Sequence, residues 1–323
     1  MKMLQNLPIV CSALALVSLA SATGLNLSVQ AGGSNTVVVG PGEHVNYSVV
    51  GELSDHASLG LAMFSFDLSY SGGALAQARA PLSDPMKRFA VPEGLNNPAG
   101  FGGTQASGML RQVGGAQNTI RNTSAPVPIG LVLTDVGQPG SPVVLAQGGL
   151  SAPNAVGDFT LSARSLFANV IRQGETGQPF WRVDPCAAGG VQNLTIEVRA
   201  IQTSTGVVSV SAHQSQSLQL NAGAANAGRT YLLLGSLSGT SPGLILGNGL
   251  VLPLDPDSYL RFTRSHPNSA ILAQSLGVLD AHGRASATFT PDASFQNKTA
   301  NHAFILLGPV NFVSEAESCQ VVP

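Results

Sequence analysis

The run Gly60-Leu61-Ala62-Met63-Phe64-Ser65-Phe66-Asp67-Leu68-Ser69-Tyr70 decides the fold. From Met63 onward it alternates. Phe64, Phe66 and Leu68 fall on one side of an extended chain, and Ser65, Asp67 and Ser69 on the other. A period of two marks a strand with one face in a core and the other in water. Ser71-Gly72-Gly73 then supplies a break.

The same reading extends outward. Before it, Leu25–Val29, Val37–Val39 and Val45–Val49 alternate, separated by Gly-Gly-Ser-Asn and Gly40-Pro41-Gly42. After it, residues 72–125 are rich in Gly, Asn, Gln and Pro and too long for a hairpin loop, so they predict a packed excursion. Within it, Leu82–Phe89 is a candidate helical turn and Met109–Val113 a candidate strand. Strands resume at Val127–Leu133, Val143–Ala146, Asp158–Ala163, Phe167–Ile171 and Leu194–Val198. A polar turn at Gln202–Gly206 is the expected boundary. Beyond it, short strands are expected at Tyr231–Leu234, Leu244–Leu246, Leu250–Leu254, Tyr259–Thr263, Ala285–Thr290 and Ala303–Leu307, and Asn221–Gly228 reads as a loop. Nothing alternates strand with helix, so a parallel α/β sheet is disfavoured. The expectation is all-β: two antiparallel β-sandwich domains, over residues 25–200 and 203–323.

Composition agrees and narrows the function classes. Of 323 residues, 44% are hydrophobic but only 10% are charged, against about 25% in an average globular domain. The formal net charge is −2, and no Lys/Arg cluster offers the counterion release that nucleic-acid binding needs. The start of the chain, Met1-Lys2 followed by the apolar Leu7–Leu19 and then Ala20-Ser21-Ala22, reads as a secretory signal peptide over residues 1–22. Its apolar run is short for a bilayer, and no later segment predicts a span. A secreted or cell-surface location follows. Without Cys11, Cys186 and Cys319 remain as an even pair, either a disulfide or two free thiols.

Catalytic signatures are few. Gly239-Thr240-Ser241-Pro242-Gly243 matches G-x-S-x-G, but the residue after Ser must donate an oxyanion N–H, and Pro242 has none. The six histidines sit at no metal-binding spacing. Asp255-Pro256-Asp257 places two carboxylates on a turn, a weak Ca²⁺ candidate that the turn geometry alone also explains; no other cofactor is indicated. For sugar stacking the aromatic candidates are Trp181, Tyr47, Tyr70, Tyr231 and Tyr259. For protein recognition the candidate is the polar strand face Ser65, Asp67 and Ser69.

Residues 25–200 resemble the cohesin domains of cellulosome scaffold proteins and, more loosely, carbohydrate-binding sandwiches of the same superfold. The resemblance is carried by Gly40-Pro41-Gly42-Glu43, by Val45-Asn46-Tyr47-Ser48-Val49, by Gly60–Tyr70 with its Asp-x-x-Tyr ending, and by Gly157–Leu161 with Leu194–Val198. It implies a jelly-roll sandwich without catalytic residues that binds a dockerin-like protein or a polysaccharide. Residues 203–323 resemble a C-terminal module of secreted proteins from planctomycete-type bacteria, through Gly228–Ser236, Ser241-Pro242-Gly243 and Leu276–Ala285. The leading expectation is therefore a secreted, non-catalytic binding module. The alternatives are a structural cell-envelope protein and an extracellular glycoside hydrolase with its site in the 72–125 excursion.

Overall fold

The computed structural model describes residues 23–80, 102–117, 135–172 and 182–323. The signal-peptide reading, the Leu82–Phe89 turn, the Val127–Leu133 strand and Trp181 lie outside them. The described chain is nearly all β. Its first part holds β1 (Gly24–Gln30), β2 (Thr36–Val39), β3 (His44–Leu53), β4 (Gly60–Tyr70), β5 (Gly102–Ala106), β6 (Met109–Ala116), β7 (Val143–Ser151), β8 (Gly157–Arg172), β9 (Arg182–Gln192) and β10 (Leu194–Val198).

Strand β8 organises these elements. Along one edge it pairs with β4 from Leu161 to Ile171. Along the other, Gly157–Leu161 pair with β10 and Ala168–Arg172 with β9. One half therefore feeds the face built of β5, β6, β4, β10 and β2, and the other half feeds β9, β1, β3 and β7. Between the faces lies one core, with Leu25, Leu27, Val29, Val45, Tyr47, Val49, Phe64, Phe66 and Leu68 all buried. The alternation read in β1, β3 and β4 is the alternation that fills it. Asp158–Ala163 and Phe167–Ile171, read as two strands, are one strand of 16 residues. The interruption between them is a bulge at Ser165, whose φ is 50°, and a bulge lets a strand continue past an extra residue.

Part of the 72–125 excursion is a hairpin. β5 and β6 meet at Ser107-Gly108, both left-handed (φ 51° and 76°), as a two-residue hairpin turn requires. The pairings are mostly antiparallel, but β1·β9 and β2·β10 run parallel. Sandwich topology brings these strands side by side after long excursions, without any crossover helix.

The second part contains β11 (Ile201–Thr203), β12 (Val207–Ser209), β13 (Gln216–Asn221), β14 (Thr230–Ser236), β15 (Leu244–Ile245), β16 (Val251–Leu252), α1 (Ser258–Ser265), β17 (Leu272–Ala273), β18 (Leu276–Val278), β19 (Arg284–Phe289), β20 (Thr299–Leu306) and β21 (Glu317–Val322). A sheet ordered β11-β13-β19-β17 accompanies one ordered β12-β21-β20-β14-β18. Phe304 and Leu306 of β20 enter a core with Leu218, Leu220 and Phe289. Ala303 and Ile305, on the opposite side of β20, enter a second cluster with Leu252, Leu254 and Leu260. β20 is thus buried on both faces, which explains the consecutive apolar residues Ala303–Leu306 at its end.

Tyr259–Thr263 is a helix, not the strand its apolar spacing suggested. Asp257 caps it by accepting the Leu260 N–H at 2.7 Å, and Tyr259 and Leu260 reach the two separate clusters. The capping residue overrides the ambiguous apolar pattern. The first core ends at Val198 and the next begins at Ala200. Across that join Glu43 accepts from Arg284 at 2.5 Å and Asn221 at 2.9 Å. Glu315 takes the N–H groups of Ala200 and Ile201 at 2.8 and 3.0 Å. Among the described residues, no helix is long and apolar enough to cross a membrane.

Candidate functional site

On β4, Ser65, Asp67 and Ser69 are half-buried and alternate with fully buried Phe64, Phe66 and Leu68. They share the outer face of the β6-β4-β8 sheet. Register sets their neighbours: Ser65 lies beside Phe167 and Gly114, Asp67 beside Arg164, and Ser69 beside Ser162 and Met109. Both flanking strands bulge here. β6 carries an extra residue between the partners of Phe66 and Leu68, and β8 carries one between the partners of Ser65 and Asp67. Asp67 Oδ1 accepts the N–H of Gln112 at 2.9 Å. Gln112 has φ 58°, so the carboxylate satisfies a backbone donor that the bulge takes out of the ladder.

The β8 bulge also re-aims side chains. Leu166 packs against the core, while Phe167 stands 51% exposed on the outer face. Gly114, on the far side of Ser65, has no side chain to cover the ring. Arg164 is exposed one register step away. The site is a shallow polar sheet face with one aromatic ring, one carboxylate and one guanidinium. Sequence reasoning placed Ser65, Asp67 and Ser69 together on the face opposite the core side chains of β4. It missed Phe167 and Arg164, because the pairing that sets them beside Ser65 and Asp67 joins segments about 100 residues apart, a separation no local pattern records.

The other candidate residues take different places. Tyr47, Tyr70, Tyr231 and Tyr259 are each at most 6% exposed, so none is a platform for a sugar ring. Burial pushes the Tyr47 hydroxyl up to about 12. Asp255 and Asp257 turn their oxygens to protein donors. Asp255 accepts from Gly243 N–H at 2.9 Å. Asp257 Oδ2 accepts from Leu237 N–H at 2.6 Å and from the hydroxyls of Ser236 and Ser238 at 3.2 Å. Burial works to raise the Asp257 pKa, but these bonds and the Leu260 N–H outweigh it and hold the carboxyl below its ordinary value.

Cys186 and Cys319 are both free thiols. Cys186 packs against the first core and donates to Thr23 O at 3.0 Å, whereas Cys319 is buried in the second. Burial pushes each thiol up to about 11, away from the reactive thiolate. The Ser241 segment leads into β15, not a helix, and Pro242 leaves the position after Ser241 without an N–H. Among the described residues, no group of three or more His, Cys, Asp or Glu side chains is placed to hold a metal ion.

No protein-family model matches the chain, and no curated protein sequence matches it significantly. Among solved structures it is similar to the sixth cohesin of scaffoldin B from Acetivibrio cellulolyticus, solved in complex with a Cel5 dockerin mutant. That match has 17% identity and a TM-score of 0.33, and covers 54% of this chain and 99% of that one. The seventh ScaB type I cohesin from Pseudobacteroides cellulosolvens matches at 14% identity and TM-score 0.34, over 54% of this chain and 92% of that one. A C-terminal fragment of the major pilin GBS80 of Streptococcus agalactiae matches at 9% identity and TM-score 0.26, over 93% and 91%. At this degree of overlap no residue role passes from those proteins to this chain.

Proposed function

We propose that the chain is a secreted or surface-displayed, non-catalytic binding module that docks a protein on the outer face of β6, β4 and β8. The observation that supports this reading is Phe167. An aromatic ring stands 51% exposed amid Ser65, Asn169, Asp67 and Arg164, aimed outward by a bulge. Aromatic anchors ringed by polar groups are the residues that dominate protein interfaces. Burying the exposed part of such a ring contributes about 1–2 kcal/mol, and Asp67 and Arg164 would set orientation through charge. A dockerin-like domain is the partner class, in keeping with the strand pattern of residues 25–200.

The test is titration of a dockerin-like domain into the full chain by calorimetry. Phe167→Ala should weaken binding by roughly tenfold, and Arg164→Ala by less. Both substitutions are on the surface and should leave the melting temperature unchanged. Equal affinity for the native chain and Phe167→Ala would remove this face from the function.

A further inference from the structure

We infer that a groove over β3 and β7, on the other sheet of the first sandwich, binds an acidic saccharide chain. The groove measures about 680 Å³, inside the range of roughly 300–1,000 Å³ typical of ligand sites. Its floor is the outer side of β3 and β7. One wall is the Gly32-Gly33 turn, and the other is the segment around Gln77 and Arg79. That second wall is fixed to the sheet: Arg79 N–H donates to Gln147 O at 2.7 Å, and Gln147 N–H to Arg79 O at 3.0 Å.

The lining chemistry selects the ligand. The lining residues His44, Asn46, Arg79 and Gln147 carry two amides, an imidazole and a guanidinium, and no carboxylate lines the groove among the described residues. Amides pair with vicinal hydroxyls, since each carries both donors and an acceptor. A guanidinium forks onto a carboxylate. Among the described lining residues there is no exposed aromatic ring for stacking, so hydrogen bonds and charge carry recognition. That combination fits a uronate-bearing sugar better than a neutral one.

Two details indicate a site prepared in advance. His44 Nε2 lies 3.1 Å from Asn46 Oδ1, and the imidazole lies over Gly149, where an added Cβ would come within 2.5 Å of His44 Cε1. The missing side chain at 149 leaves the space that the ring occupies. Tyr47 also lines the groove; its hydroxyl is buried and has no hydrogen-bond partner among the described residues.

The inference does not depend on protein docking at Phe167. Its test is biolayer interferometry of the full chain over immobilised polygalacturonate and over dextran. The chain's net charge of −2 gives a polyanion no general reason to adhere. Binding is expected to polygalacturonate and not to dextran. It should weaken by roughly tenfold or more in Arg79→Gln, fall also in Gly149→Ala as His44 is displaced, and persist in Phe167→Ala. Far-UV circular dichroism confirms that each variant is folded. No binding to polygalacturonate overturns the inference. So does full retention in both groove variants, equal binding to dextran, or complete competition by inorganic polyphosphate at low concentration.

Discussion

His302 is the buried titratable group with the clearest consequence. The residue is fully buried, its Nε2 lies 3.0 Å from the Tyr259 hydroxyl, and its Nδ1 has no hydrogen-bond partner among the described residues. The Phe289 ring centre is 4.6 Å away. Burial alone pushes its pKa down to about 3 from an ordinary 6.5. The native state thus keeps it neutral while the unfolded chain takes a proton near 6.5. Above that pH neither state is charged and the residue adds no pH dependence. As pH falls from 6.5 toward 3 the unfolded state binds one more proton, and stability should drop by about 1.4 kcal/mol per pH unit. Urea denaturation at pH 7 and pH 5 reads this directly; His302→Phe should flatten that interval by one proton, and an unchanged slope would contradict the assignment. Asp257 acts on the same scale. Asp257→Ala removes the cap of α1, worth about 1–2 kcal/mol, and leaves the Leu237 N–H and the Ser238 hydroxyl without this acceptor, while Ser236 keeps Asp255 O at 2.9 Å. Its loss in denaturant should therefore exceed that of an ordinary cap, while Asp257→Asn should recover part of it.

At the scale of elements, β4 was legible because its side chains from Met63 to Tyr70 alternate between half-buried and buried. Phe66→Ala should cost about 3–5 kcal/mol by opening a cavity at a fully buried position, whereas Ser69→Ala should stay within about 0.5 kcal/mol; chemical denaturation of the two variants checks the faces. β8 was legible only in halves, since Ser165 breaks the alternation where the strand itself does not stop. α1 was misread because Tyr259, Leu260 and Phe262 suit either a short strand or a helical turn. The deciding signal was Asp257, three residues before Leu260 and directly after Pro256. β20 announced its burial through consecutive apolar residues, but not what covers each face, because α1 and the β15–β16 hairpin arrive from elsewhere in the chain. The same reason hid Phe167 and the groove: both are made by pairing, and pairing is a property of register.

For the whole molecule, Glu43 ties the first sandwich to the second. Burial works to raise its pKa, yet the Gly40 N–H, Arg284 and Asn221 together hold it below its ordinary 4.5. A carboxyl held low stabilises the fold above its unfolded pKa, and that stabilisation is lost as pH falls through the folded value. Glu43→Gln should lower the melting temperature at pH 7 and match the native chain near pH 3; calorimetric scans at both pH values test it. A partner 241 residues away in sequence is beyond any reading of local pattern. The forked strand β8 carries the last consequence. Its amides hydrogen-bond into both layers, so neither layer can open to deuterium while the other stays closed. Exchange from β4, β9 and β10 should follow a single slow clock, and a chain cut at Ser165 should lose that protection everywhere in the first sandwich at once.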